Sequence, residues 1–347
     1  MKIRKHIAAS LLAIAILLAS FGCASEQKPT IAPTGVSPAD PTTAAVSQTT
    51  NSGNPPSTSL SGNAPDATND AHDPNQPLTF ALEEYPKIDG STATIPLSEA
   101  FMATLTGKTV EEIRLHLKHN KTHSAYVNLI EKKADLIFVT YPSVEEQQLA
   151  ASSGVELEIV PIVREGFVFL TNRTNPVDSL TRRQIIDIYT GAITDWSEVG
   201  GTNGEIRAFQ RPVNSGSQSG FLELVMKDAT PMEPPKELEI GTMGMLIDKV
   251  ASFDSGNENA IGYSYYYYAT DMWKNEHVKL LAIDGIEPNA VTISNESYPY
   301  CTAYYAVLRK DTPEHHPARR LLQWILSDSG QQVAKDAGYV RLKEGKE

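Results

Sequence analysis

Three stretches of this chain gather hydroxyl side chains, small residues and backbone amides just before a helical pattern, a combination suited to holding an oxyanion. The richest is Phe209-Gln210-Arg211-Pro212-Val213-Asn214-Ser215-Gly216-Ser217-Gln218-Ser219-Gly220-Phe221. Gly216 lets the backbone approach a ligand closely, Ser215 and Ser217 offer hydroxyl and amide donors, and Arg211 offers a planar fork that matches two oxygens of a phosphate-like group. The second stretch, Asp89-Gly90-Ser91-Thr92-Ala93-Thr94-Ile95-Pro96, passes from an extended run into a helix expected to begin near Pro96. It would bring Thr92, Thr94 and the Ile95 amide to a positive helix end. The third, His119 to Tyr126, places Thr122 and Ser124 before another helix. Each alone also reads as an ordinary N-cap or capped turn. Together they favour an anion site.

Thr140 is a further candidate. It follows the apolar run Leu136-Ile137-Phe138-Val139, and in open α/β sheets ligands lie beyond the carboxyl ends of strands, although the position equally suits a plain strand-end threonine. No serine, cysteine or carboxylate arrangement demands catalysis, so no catalytic residue is assigned. His315, His316, His119 and His123 lack metal-ligand spacing and read as exposed loop histidines, so no metal or other cofactor is expected. The run Tyr265 to Tyr268 reads as packing rather than ligand stacking.

The elements that must position these residues alternate. Short β-rich runs and amphipathic stretches follow one another from Phe80 onward, which indicates an α/β fold. Strands are expected over 134–140, 157–161, 166–172, 206–210, 260–263, 278–283 and 303–309, and helices over 98–106, 124–132, 145–152, 181–189, 220–226 and 317–326. A hydrophobic content of 41% supports a globular body, whose length favours two lobes over one core. The formal net charge of −12 argues against nucleic acid as a partner. It does not oppose anion binding locally, because surface carboxylates beyond about 8 Å are mostly screened.

At the start of the chain, Lys2, Arg4 and Lys5 precede the apolar run from Ile7 to Leu18, and Ser20-Phe21-Gly22-Cys23 follows. That order reads as a secretory signal whose apolar part is short for a layer of about 30 Å. Residues 1–22 are therefore expected to be a lipoprotein signal peptide and Cys23 the lipidated first residue, with an ordinary cleaved signal as the alternative. The sequence has 2 cysteines, so Cys301 is then left without a partner and the exported domain folds without a disulfide. Residues 23–78, rich in Ser, Thr, Pro and Asn, are expected to form a disordered tether spanning on the order of 40 Å.

From about Pro86 to Leu342 the chain resembles the substrate-binding lipoprotein of phosphate ABC transporters, within the type II periplasmic-binding-protein superfamily. Besides the loops above, the likeness rests on ordered blocks: Asn175-Pro176-Val177 through Leu180-Thr181, Ile188-Tyr189-Thr190-Gly191-Ala192-Ile193-Thr194-Asp195-Trp196 with Val199-Gly200-Gly201, Ala260-Ile261-Gly262-Tyr263, Tyr298-Pro299, Leu326-Ser327-Asp328-Ser329-Gly330-Gln331 and Gly338-Tyr339-Val340. The resemblance implies a two-lobed fold, each lobe a mixed sheet flanked by helices, with a ligand cleft between them. Lobe I would comprise 79–163 and 298–347, and lobe II 164–297. It implies Thr94 and the Ile95 amide as first-loop ligands, Ser124 or Thr122 as the second-loop hydroxyl, and Arg211, Ser215, Gly216 and Ser217 as the third-loop set. It further implies inorganic phosphate or a similar tetrahedral oxyanion as ligand, ABC permease and ATPase subunits as partners, and a lipid-anchored monomer on the extracellular face of the cell membrane.

Many phosphate-binding members carry an Asp where Thr140 stands, and its carboxylate accepts the proton of hydrogen phosphate. Selectivity for phosphate must then come from elsewhere, with Glu165 and Asp89 as the candidate acceptors, or be weaker. Val213 stands where some members carry an acid that steadies the ligand Arg, so Arg211 is expected to be held differently. The alternatives are an envelope sensor or adhesion lipoprotein with the same fold, or an importer component for sulfate, molybdate or phosphonate. An enzyme such as a secreted phosphatase would need a nucleophile or metal cluster that the sequence does not assemble.

Overall fold

The computed structural model describes residues 78–252 and 254–342. The expected leader over 1–22, the lipidated Cys23 and the tether over 23–78 lie outside the described residues, apart from Leu78 at their edge.

The strands are β1 (Ile88–Gly90), β2 (Leu136–Val139), β3 (Leu157–Asn172), β4 (Ser179–Leu180), β5 (Arg207–Ala208), β6 (Ala260–Tyr265), β7 (Val278–Leu280), β8 (Ala282–Ile283) and β9 (Cys301–Arg309). The α-helices are α1 (Ile95–Thr106), α2 (Val110–Ile113), α3 (Thr122–Ile130), α4 (Val144–Ser152), α5 (Arg182–Tyr189), α6 (Gly216–Gly220), α7 (Met243–Ala251), α8 (Ala290–Ser294), α9 (Pro317–Ile325) and α10 (Asp328–Asp336). Their starts follow local chemistry. At α4 the Ser143 Oγ accepts from the Glu146 amide at 3.4 Å while the Glu146 carboxylate accepts from the Ser143 amide at 2.7 Å, so two orphan donors are satisfied reciprocally. Thr109 and Thr181 do the same for α2 and α5. The first helix ends at Gly107, whose φ of 66° suits a residue without Cβ.

The main sheet runs β1-β2-β9-β3-β6-β5, with β7 also paired to β3, while β4 and β8 form a separate parallel pair. Parallel and antiparallel pairs mix: β1 runs parallel to β2, and β9 antiparallel to β2 and β3. The long strand β3 belongs to two half-sheets in turn. From Leu157 to Gly166 it pairs with β9, and from Phe167 to Thr171 with β6. The transition falls between Gly166 and Phe167; a register shift between Pro161 and Val163 interrupts the β9 pairing earlier, where proline withholds an N–H from the ladder. The separate strands expected over 157–161 and 166–172 are thus one. The charged pair Arg164-Glu165 does not interrupt it, because Arg164 turns its guanidinium to the Leu342 carbonyl and Glu296 and Glu165 keeps its place opposite Thr302. The expected lobe boundary at 163/164 falls inside this continuous strand.

Alternation along β2 divides the core. Leu136 and Phe138 join a large cluster that includes Phe101, Phe167, Phe169 and Phe221, and Ile137 and Val139 face a smaller one with Ala125, Tyr126 and Leu129. Phe221 stacks on Tyr263 at 4.7 Å and meets Tyr189 at 4.6 Å, fixing α6 and its continuation Phe221–Met226 against β6.

Asp89, at 3% exposure, holds the loop before α3 against β1. Its carboxylate accepts from the amides of Gly90 at 2.7 Å and Asn120 at 2.8 Å, and from the side-chain amides of Asn120 at 2.8 Å and Asn128 at 2.7 Å. Replacing Asp89 by Ala leaves these donors without partners and should lower unfolding stability by about 3 kcal/mol. Urea titration of the purified variant checks this, and a midpoint unchanged from the parent would contradict it.

Candidate functional site

The ends of the half-sheets and the starts of their helices border a cleft of about 340 Å³. From the β1–β2 side it is lined by Ser91, Thr92, Ala93, Lys121, Thr122 and Thr140, and from the other side by Arg211 and the Ser215, Gly216 and Ser217 turn. Gly241, Thr242 and Met243 extend that second wall, and Tyr265, Tyr268 and Tyr304 complete the lining. No Asp or Glu lines it among the described residues.

Arg211 is half-buried in this cleft. Its backbone is pinned from behind: the Arg211 amide donates to Gln218 Oε1 and to Tyr263 Oη, each at 3.0 Å. The Tyr263 hydroxyl in turn donates to Gln218 Oε1, and Gln218 Nε2 donates to Gln210 Oε1 at 3.1 Å. The guanidinium donates to Ser217 Oγ at 3.3 Å and to the Gly241 carbonyl at 3.2 Å. Its Nε is buried without a partner. The charge is thus steered by a hydroxyl and a carbonyl, while Val213, 72% exposed, turns to solvent. Desolvation lowers the Arg211 pKa, and the groups that act back on it are the phenols of Tyr263 and Tyr268, with no carboxylate among them. A guanidinium stays protonated even so.

Across the cleft, Gly216 meets Thr122 and Thr140. A Cβ on Gly216 would overlap Thr122 Oγ1 and sit 3.0 Å from Thr140 Oγ1, so the absent side chain is what lets the two walls come together. Thr140 is tied at its carbonyl, which accepts from Tyr126 Oη at 2.8 Å, while its Oγ1 is buried beside the Tyr265 hydroxyl with no partner of normal geometry. A buried orphan hydroxyl on a cleft wall is a group that a ligand can satisfy. Ser215 caps α6 by accepting from the Gln218 amide at 3.3 Å, which aims the free first-turn amides of that helix at the cleft wall. Ahead of α3, Lys121 has φ 71° and ψ 164°, a backbone region normally left to glycine and costing about 1–3 kcal/mol.

Seven of the residues singled out in the sequence therefore share one cleft: Thr92, Thr122, Thr140, Arg211, Ser215, Gly216 and Ser217. Thr94, Ile95 and Ser124 are not among its lining. The helix expected near Pro96 begins at Ile95 after a 3₁₀ turn over Thr92–Thr94. That turn consumes the donors, since the Thr94 amide bonds to the Ser91 carbonyl at 3.1 Å and the Ile95 amide to that of Thr92. The Thr94 hydroxyl donates to Phe138 O at 2.8 Å, tying the loop to β2, and the cleft-facing part of the loop shifts to Ser91, Thr92 and Ala93. Ser124 is exposed, two positions beyond Thr122 and on another side of α3.

Neither expected replacement acceptor lines the cleft. Asp89 is engaged by the amides already described, and Glu165, 1% exposed, lies within β3. The histidine reading also changes for His119, which clamps the first loop: its Nδ1 donates to the Ser91 carbonyl at 2.8 Å and its Nε2 accepts from Ser98 Oγ at 3.0 Å. Burial lowers its pKa and favours this neutral form. His316 caps α9, its Nδ1 accepting from the Ala318 amide at 3.1 Å. Lining residues that the sequence did not put forward include Lys121, Gly241, Thr242 and Tyr304, and Tyr265 and Tyr268, read there as packing, line the cleft as well. Only the tyrosine run carried a signal, and it points to packing as much as to a cleft: Tyr265 packs on Phe167 at 5.4 Å while also lining the cleft.

Known proteins resemble this chain in sequence and in fold. The model of the PBP superfamily domain matches residues 44–329. A phosphate-binding protein PstS of Bacillus subtilis is 25% identical over 203 residues, covering 58% of this chain and 62% of that protein. One from Staphylococcus saprophyticus is 25% identical over 264 residues, covering 74% and 80%. The crystal structure of a putative phosphate ABC transporter substrate-binding protein with bound phosphate from Clostridium perfringens aligns with a TM-score of 0.58 at 26% identity, covering 74% of this chain and 98% of that one. An ABC-type phosphate transport receptor from Vibrio cholerae shares the fold with a TM-score of 0.54, at 21% identity and 73% and 98% coverage.

The contact at Gly216 can be tested on stability alone. Gly216→Ala should destabilise the protein by about 1–3 kcal/mol through overpacking against Thr122, and adding Thr122→Ala should recover part of the loss. A double-mutant cycle by chemical denaturation measures this. Strict additivity would mean that the walls do not meet there.

Proposed function

Because this chain belongs to the PBP (periplasmic-binding-protein) superfamily, we propose that it captures inorganic phosphate, or a similar tetrahedral oxyanion, in the cleft around Arg211 and delivers it to an ABC importer. One observation carries the reading: a half-buried guanidinium with no carboxylate beside it in the lining, facing hydroxyls and helix-start amides. In a chain of net charge −12, such a site excludes local negative charge where an anion would need it excluded.

In this reading the Arg211 fork binds two oxygens, the Ser217 hydroxyl and the amides of Gly216 and Ser217 bind from the same wall, and Thr92, Thr122 and Thr140 bind from the other. Donors held in place before the ligand arrives replace its water at little reorganisation cost. Thr140 Oγ1 serves either as donor or as acceptor, so the site can take the proton of hydrogen phosphate without a carboxylate. It also gives the site little means to repel a fully ionised anion. The lobes, 79–163 with 298–347 and 164–297, close on the ligand about the β3 and β9 crossover. Cys23 carries lipid that holds a monomer at the extracellular face of the membrane, where permease and ATPase subunits take over the anion. Binding and release make up the activity, and the chain performs no covalent chemistry. The curated relatives named for phosphate binding, together with the Clostridium structure that holds phosphate, support phosphate as the ligand.

Two outcomes follow. Arg211→Ala should weaken phosphate binding by about 100-fold or more, because a buried anion loses its charged partner, and calorimetry showing unchanged affinity would contradict the assignment. Thr140→Asp should raise the preference for phosphate over sulfate by about tenfold or more, since an added carboxylate accepts from a protonated anion and repels a fully ionised one. Parallel titrations with both anions check this, and an unchanged ratio would mean that Thr140 does not face the ligand.

A further inference from the structure

Glu165 is the buried carboxyl that the anion reading leaves without a task. It sits where β3 passes from one half-sheet to the other, opposite Thr302, one residue before the last pairing with β9 at Gly166 and two before the first pairing with β6 at Phe167. Its Oε1 accepts from the Gly166 amide at 2.8 Å and the Tyr267 amide at 3.2 Å. Its Oε2 has no partner of normal geometry, and neither has the hydroxyl of Tyr304, which lies against the carboxyl and belongs to the cleft lining. Tyr265, beside Tyr304 with rings 5.5 Å apart, donates its hydroxyl to the Gly216 carbonyl at 3.0 Å. The carboxyl is therefore separated from the anion cleft by one layer of tyrosines.

We propose that Glu165 is a positioning residue for the cleft: as a carboxylic acid it leaves the Tyr304 hydroxyl free to face the cleft, and as a carboxylate it draws that hydroxyl to itself and opposes the anion. This rests on the anion reading of the cleft. Besides the backbone amides of Gly166, Tyr267 and Tyr266, the surroundings among the described residues offer the carboxylate no cation. The titratable groups that feel it are Tyr265, Tyr266 and Tyr267 from the end of β6, Cys301 and Tyr304 from β9, and Tyr339. Asp271 and Glu99 act on the same tyrosines and add negative charge. Arg164, the neighbouring cation, is spent on Glu296 and the Leu342 carbonyl. Burial accordingly pushes the Glu165 pKa to about 8, so the folded protein keeps a proton there that the unfolded chain releases in the ordinary carboxylate range. The sign follows. Stability from this group is full below the ordinary carboxylate range, falls as the pH rises to about 8, and is level above that. Anion affinity falls through the upper part of the same window.

The experiment measures phosphate affinity by calorimetry at pH 6.5 and 9.5 for the parent and for Glu165→Gln, a lasting mimic of the protonated acid. The variant-to-parent affinity ratio, in which the titration of phosphate itself cancels, should rise about tenfold or more across that interval, because an added charge one layer of side chains away opposes the anion at low effective dielectric. Thermal melts without anion should show the parent losing stability from pH 6 to 9 and the variant losing less. A ratio that does not change with pH overturns the inference while leaving the anion reading intact. Parent protein that binds no phosphate at either pH overturns both. Should Glu165→Gln not fold, Tyr304→Phe serves, because deleting that hydroxyl should shrink the parent's pH-dependent change in affinity; an undiminished change overturns the inference.

Discussion

Strand β3 is the constraint on which the rest of the structure depends. One continuous segment, Leu157–Asn172, serves both half-sheets, so the walls that carry Thr122 and Thr140 on one side and Arg211 and Gly216 on the other are referenced to the same backbone. Its second half is buried throughout, and its aromatic residues Phe167 and Phe169 pack on Phe221 and Tyr263. Those rings fix the helix start that presents Ser215 to Ser217. Core packing and cleft geometry are in this way one arrangement, and a shift in the register of β3 would displace both walls.

Electrostatics explains why this framework suits an anion. A dissolved oxyanion is strongly hydrated, and removing it from water costs more than a few loose contacts return. The cleft answers with donors already fixed: Arg211 held through Gln218 and Tyr263, Thr140 held through Tyr126, and the first loop held by His119 and the Thr94 hydroxyl. Keeping carboxylates out of the lining matters as much as supplying donors. The acids nearby are disarmed in different ways, Asp89 by four amide donors and Glu165 by burial.

Much of this was legible in the sequence, and the parts that were not share a cause. The α/β alternation and the three loop-to-helix junctions could be read because glycine, serine and proline act locally, and seven of the ten ligand candidates line one cleft as a result. The fate of Thr94 and Ile95 was not readable, because it turns on a 3₁₀ turn whose amides bond inside the loop. Strand β1 is three residues long and contains Asp and Gly, so no periodicity marks it. Helices α7 and α10 were missed: a glycine lies within the first turns of each, and packing against the sheet and against α1 outweighs that weak propensity. The single strand over Arg164-Glu165 likewise depends on β9, which lies far along the chain. Long-range pairing decides these features, and local sequence does not encode it.

The most direct test of the central claim is a crystal structure of the protein with arsenate, a tetrahedral oxyanion whose arsenic can be located by anomalous scattering. The account predicts one strong anomalous peak within hydrogen-bonding reach, through its oxygens, of the Arg211 guanidinium, the Ser217 hydroxyl and Thr140 Oγ1. A peak elsewhere on the molecule, or a cleft empty of arsenic when arsenate is bound, would contradict it.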